Sequence, residues 1–230
     1  LAALLAILVC GAGGGLVESG MLRPLRDRRL GSFQFVVLTI GLSLVVRHVI
    51  LLTYGGSPNR YTNYTVQSTL DFGPWSITPR DLWIMGLSFL ALVAVALVLQ
   101  RTRIGKATRA VADNVDLAET AGINVNRVTL VVWVSGAALA AAGGIFLGTI
   151  ETVDWLMGFR LLLLMFAAVV LGGLGTAYGA MVGGLVIGIV TELSTVWFQP
   201  EIKSVFALGV LILVLLLRPQ GILGRRERVG

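Results

Sequence analysis

Six apolar runs, Leu1–Val17, Ser32–Thr53, Leu82–Gln100, Val128–Ile150, Leu161–Phe198 and Ser204–Leu217, dominate the chain and constrain its fold most. A helix that crosses a bilayer takes roughly 20 residues. Leu161–Phe198 holds 38 residues, too many for one crossing, and GGLGTAYG at Gly172–Gly179 marks its natural division. Seven crossings result, the first of them short. The expected fold is therefore all-α, a polytopic transmembrane helical bundle. Charged residues make up only 13% of the chain against about 25% in soluble domains, which places it in the membrane class. Twenty-nine glycines against six prolines fit helices whose backbones approach closely.

Loop charge orients the bundle. With Met21–Gly31 inside, the inner loops hold Arg23, Arg26, Arg28 and Arg29, then Arg101, Arg103, Lys106, Arg109 and Arg127, then Arg218, Arg225, Arg226 and Arg228. These are 13 of the 18 Lys and Arg; the outer side keeps Arg60, Arg80, Arg160 and Lys203. Counting Leu161–Phe198 as one crossing would throw Arg225–Arg228 outside, against the cytoplasmic preference for basic residues. The net charge of +6 thus reads as this bias and not as a nucleic-acid footprint. Trp75, Trp83, Trp155 and Trp197 fall near outer span ends, as an aromatic belt does. Cys10 is the only cysteine, so no disulfide forms within the chain. The sequence begins at Leu1 with no initiator Met, and no basic stretch precedes the first apolar run, so the start does not read as a signal peptide. The expectation is one transmembrane domain, residues 1–230, continuing a longer protein.

Ionisable groups inside spans are functional candidates by default. Arg47 and His48 lie in the second run and Glu192 in the outer half of Gly179–Phe198; Ser43 and Ser135 join them as candidate pathway positions. Three ionisable groups on two helices make a poor proton relay. His48 is the only histidine and has no Asp, Glu or Cys spaced to share a metal. Gly175, Gly179 and Gly183 recur at i+4, as do Gly184 and Gly188, and Gly144 and Gly148. Each set smooths one helix face for packing.

Arg101–Arg127 is the one long charged, helix-favouring stretch. Thr108–Ala121 has no Gly or Pro and is expected to be one helix, with Val111, Val115 and Ala118 as a narrow apolar stripe. Arg109, Asp113, Asp116 and Glu119 take its polar sides, and Gly122 stops it. A helix lying on anionic lipid would be richer in Lys and Arg. A helix exposed to water beside so much hydrocarbon points to contact with another protein; a plain connector is the blander alternative.

The chain resembles permease subunits of the bacterial ABC importers for branched-chain amino acids. RPLR at Arg23–Arg26, TIGLS at Thr39–Ser43 and GKATRAVADN at Gly105–Asn114 carry the resemblance. It continues through AETAGI at Ala118–Ile123, SGAALAAAGG at Ser135–Gly144, VVLGGLGTAYGAMVGGL at Val169–Leu185 and LRPQGILG at Leu217–Gly224. The resemblance implies that Arg101–Arg127 is a cytoplasmic coupling loop docking on an ATPase. ABC importer permeases often carry Glu-Ala-Ala, three residues and Gly; Asp116, Leu117, Ala118 and Gly122 stand at those positions, so only the acid type, one Ala and the Gly match. Gly105, Arg109, Asp113 and Asn114 match the pattern of this branch. The implied partners are a second permease subunit, two cytoplasmic ATPase subunits and an extracytoplasmic solute-binding protein, besides the lipid bilayer. ATP binds to the partner: no GxxxxGK[ST] phosphate loop is present, because Gly105-Lys106 is followed by Ala107 and lacks the earlier Gly. No cofactor or metal of its own is expected. Relatives that move urea, short amides or other small polar solutes keep the solute open. An ion-coupled carrier working alone is the rival transport reading. An intramembrane enzyme would want paired catalytic groups at matched depth, which His48 and Cys10 do not form.

Overall fold

The computed structural model describes residues 1–28, 31–61, 70–72, 75–173, 176–199, 202–218 and 220–224. Every apolar run contains a helix. Five stretches are long and apolar enough to cross a membrane: Ala2–Arg26, Phe33–Tyr54, Pro79–Arg101, Val125–Ile150 and Tyr178–Trp197. Met157–Gly172 and Val205–Leu217 are shorter apolar helices. The chain is a polytopic helical bundle, and it divides into two compact units, Leu1–Trp155 and Leu156–Gly230.

In the first unit, α1 (Ala2–Val17) runs through a π-helical turn, Glu18–Leu22, into α2 (Arg23–Asp27). Next comes α3 (Ser32–Tyr54), started where Gly31 N–H donates to Gln34 Oε1 at 2.8 Å. A small antiparallel hairpin, β1 (Leu70–Phe72) with β2 (Trp75–Ile77), pairs Leu70 with Ile77. Helix α4 (Pro79–Arg101) begins with Pro79, whose missing N–H costs nothing at a helix start. Its Arg80 Nη1 donates to Thr149 O at 3.0 Å. Then follow α5 (Arg103–Asp113), α6 (Val115–Thr120) and α7 (Val125–Ile150).

Helices α1 and α7 pack antiparallel through α1's glycines. A Cβ on Gly14 would lie 2.6 Å from Ala137 Cβ and 2.8 Å from Trp133 O; one on Gly15 would lie 3.0 Å from Val134 Cγ2. In lipid, close backbone contact replaces the hydrophobic drive as the source of association. By contrast, no residue described in α3 is buried, and Phe33, Val36, Ile40 and Leu52 all face outward.

The second unit holds α8 (Met157–Gly172), α9 (Ala177–Trp197) and α10 (Lys203–Leu217). The division expected within Leu161–Phe198 falls here: α8 stops because Gly173 turns to φ +111°, which L side chains rarely adopt. At 16 residues α8 is about 24 Å long, and α10 is a residue shorter, so neither reaches the length of a full crossing. The α8–α9 pair is an antiparallel hairpin, with Gly183 stacked on the Ala168 carbonyl and Gly179 on Gly172. Ala167, Leu171, Ile187 and Ala207 form its core, against which Leu164, Val210 and Ile222 pack. After α10 the chain folds back, and Ile222 N–H and Leu223 N–H donate to Leu171 O and Gly172 O at 2.8 and 3.0 Å.

Candidate functional site

The segment between α4 and α7 is built from three caps and one glycine stop. Thr102 leaves the helical region (φ −93°, ψ 156°), and its Oγ1 accepts the Gly105 N–H at 3.1 Å, which starts α5. Gly105 is buried because α5 folds back over the end of α4; a Cβ there would strike the Val98 and Leu99 backbone. The single helix expected over Thr108–Ala121 is not continuous. Asn114 is extended (φ −160°, ψ 113°), and its Oδ1 accepts the Leu117 N–H at 2.9 Å, so it ends α5 and caps α6. The break turns the expected apolar stripe: Val111 is half-buried, Val115 is 48% exposed and Ala118 is buried. Gly122, at φ +82°, donates to Glu119 O at 2.9 Å while Ile123 donates to Ala118 O at 3.0 Å. These two bonds make a Schellman stop, for which the left-handed residue is normally Gly. Asn124 Oδ1 then accepts the Arg127 N–H at 3.0 Å and opens α7.

The sequence-derived candidates divide by direction. Gly105 and Ala118 face the bundle, whereas Arg109, Asp113, Asn114, Asp116 and Gly122 face solvent. Leu117, 68% exposed, lies beside Asp116 as an apolar side chain in water, a feature that helical periodicity alone did not mark.

The candidates within spans do not converge. Ser43 Oγ donates to Ile40 O at 2.7 Å and Ser135 Oγ to Val131 O at 2.7 Å, each within its own helix. The Arg47 guanidinium lies 5.3 Å from the centre of the Trp155 ring. His48 Nδ1 bonds Leu44 O at 2.8 Å, so that nitrogen carries the proton. Glu192, exposed in the second unit, pairs with Lys203 Nζ at 2.8 Å. Among the glycines, Gly179 and Gly183 pack against α8, while nothing lies within 4 Å of a Cβ at Gly184, Gly188 or Gly144; Gly175 lies outside the described residues. Glu18, which no sequence pattern marked, is 2% exposed and ion-paired with Arg26, and its Oε2 has no hydrogen-bond partner among the described residues. Among the described residues no three His, Cys, Asp or Glu group as a metal site would need.

The family described as branched-chain amino acid transport system / permease component matches residues 1–215. The chain is 36% identical to the high-affinity branched-chain amino acid transport system permease protein LivH of Escherichia coli K12, over 96% of this chain and 73% of that protein. It is 35% identical to the corresponding BraD protein of Pseudomonas aeruginosa, over the same shares. The ribose import permease protein RbsC of Escherichia coli K12 is 30% identical over 84% of this chain and 60% of its own length. No solved structure matches. A bundle of apolar helices long enough to span lipid, with most of its charged residues outside those helices, agrees with these likenesses. The chain belongs to the branched-chain amino acid transport permease family and is a multi-pass membrane transport protein, not an enzyme.

Proposed function

We propose that this permease is a subunit of an ABC importer that moves branched-chain amino acids into the cytoplasm, driven by ATP hydrolysis on separate subunits. The observation that carries the reading is the α5–α6 segment. It presents Arg109, Asp113, Asp116 and the exposed Leu117 to water while Gly105 and Ala118 hold it to the bundle. An exposed apolar side chain on a segment that also exposes charges suits a protein groove, where the charges select the partner and the apolar side chain supplies buried area. Two ATPase subunits would grip this segment and its counterpart on a second permease subunit. Closure of the ATPase pair on ATP would draw the segments together and switch the permease pair between outward- and inward-facing states. Solute would arrive on an extracytoplasmic binding protein. The same sidedness puts the α5–α6 segment and the C-terminus in the cytoplasm, where the Lys and Arg bias of the loops also puts them.

The likeness to a ribose permease supports a second reading, in which the solute is another small polar molecule. The test is uptake by proteoliposomes holding the complete importer. Arg109→Glu with Asp113→Lys should abolish ATP-driven uptake while the permease still inserts and folds. Full uptake by that variant overturns the docking role. Uptake by vesicles that lack the ATPase but hold an ion gradient would favour a carrier working alone.

A further inference from the structure

Beyond α3 the first unit builds a second polar feature, on the side that loop charge makes extracytoplasmic. The chain leaves α3 at Gly55 (φ +79°) and returns along the segment after α7. Asn59 and Val153 pair there antiparallel, each N–H donating to the other's carbonyl at 2.9 and 2.8 Å. Gly148 permits this approach, since a Cβ on it would lie 2.8 Å from Val153 Cγ2. Between the strand pair and the end of α3 lies a cleft of about 440 Å³, within the range of small-molecule sites of about 300–1,000 Å³.

Its walls combine three kinds of group. Ile50, Val153 and the Trp155 ring are apolar; Tyr54 is aromatic with a hydroxyl; Arg60 and Asp154 carry opposite charges. Trp155 is held in place, with Arg47 over its ring and the His48 ring 6.0 Å from it. Arg60 makes no hydrogen bond or ion pair among the described residues, and it also lines an adjoining cavity of about 150 Å³ with Arg80 and Glu151. A guanidinium that lines a cleft and makes no such bond among the described residues is suited to bind a carboxylate through two parallel hydrogen bonds.

We propose that this cleft is an entry subsite for α-amino acids with branched apolar side chains. Arg60 takes the carboxylate, Asp154 faces the ammonium, and Ile50, Val153 and Trp155 receive the side chain. The proposal rests on the import reading for its sidedness and solute, and adds a place where the permease itself recognises what it carries.

The test is saturation-transfer NMR on the full chain in lipid nanodiscs, with leucine, isopentylamine and leucinamide as probes. Leucine should bind saturably, and the two probes that lack a carboxylate at least tenfold more weakly. Arg60→Gln should weaken leucine at least tenfold and leave isopentylamine unchanged. If circular dichroism shows that variant unfolded, the ligand series on the unaltered chain decides alone. Equal binding of leucine and isopentylamine, no saturable leucine binding, or leucine binding unmoved by Arg60→Gln in a folded chain overturns the subsite. ATP-driven leucine uptake by the complete importer, measured in parallel, separates the two claims. Uptake without binding to the cleft sinks only this inference, whereas absence of uptake sinks the import reading.

Discussion

Replacing Gly14 with Ala tests whether backbone contact between α1 and α7 holds the first unit. The new methyl would lie 2.6 Å from Ala137 Cβ and 2.8 Å from the Trp133 carbonyl oxygen, where ordinary contact begins near 3.4 Å. Helix α1 must therefore retreat by about 0.8 Å. A gap of about 0.5–1 Å forfeits a quarter to a half of the dispersion well of every atom pair along the seam. Overpacking of this kind costs about 1–3 kcal/mol. The helix-forming gain of Ala over Gly, about 0.5–1 kcal/mol, offsets part of that. Gly13 is the matched control: it is one residue away on the same helix, yet nothing lies within 4 Å of a Cβ there. Gly13→Ala should thus stabilise slightly, and the two variants should differ by about 2 kcal/mol. At about 2–4 °C per kcal/mol for a chain of this size, that is about 4–8 °C in Tm. Thermal unfolding of the purified chain in one detergent, followed by circular dichroism, reads the difference. Equal Tm values for the two variants would refute the claim that α1 is held by glycine contacts.

Two further substitutions address the polar parts. Asn114→Ala removes the cap of α6 and should cost about 1 kcal/mol, seen as roughly fivefold faster hydrogen exchange across Val115–Thr120; unchanged exchange would mean that packing of Ala118 alone holds the turn. Arg26→Ala leaves the Glu18 carboxylate buried without its cation and should lower stability by about 1–3 kcal/mol. Because Arg26 itself is 39% exposed, that loss comes mainly from the stranded carboxylate, and adding Glu18→Gln should restore part of it. A double variant as unstable as Arg26→Ala would show the charge to be irrelevant.

Five of the seven expected spans were legible because hydrocarbon thickness imposes a length that composition reveals directly, whereas α8 and α10 are apolar but shorter than a crossing. The division at Gly172–Gly179 was legible for the same reason, as 38 residues exceed one crossing. The break at Asn114 was not. Its neighbours favour helix, and an Asn that caps looks the same in sequence as one on a helix surface. Small residues at i+4 show that a face can pack closely, but not against what. Gly179 and Gly183 meet α8, a Cβ at Gly184 or Gly188 would have no described atom within 4 Å, and the contacts of Gly14 and Gly15 depend on α7, more than a hundred residues away. The burial of Glu18 has no sequence signal, because it ends an apolar run, where a carboxylate ordinarily sits in water. Arg60 and Asp154 come to line one cleft through the Asn59–Val153 pair, a long-range match that periodicity does not encode.

Asn114 makes the segment between α4 and α7 an articulated linkage in place of a rod. Its first arm is pinned at Gly105, where no side chain fits, and its second ends at the left-handed knuckle of Gly122. Force applied to the outer arm would reach the foot of α7 within three residues, whereas the inner arm is braced on both α4 and α7. Such a joint would feed a load on its outer arm directly into one membrane helix.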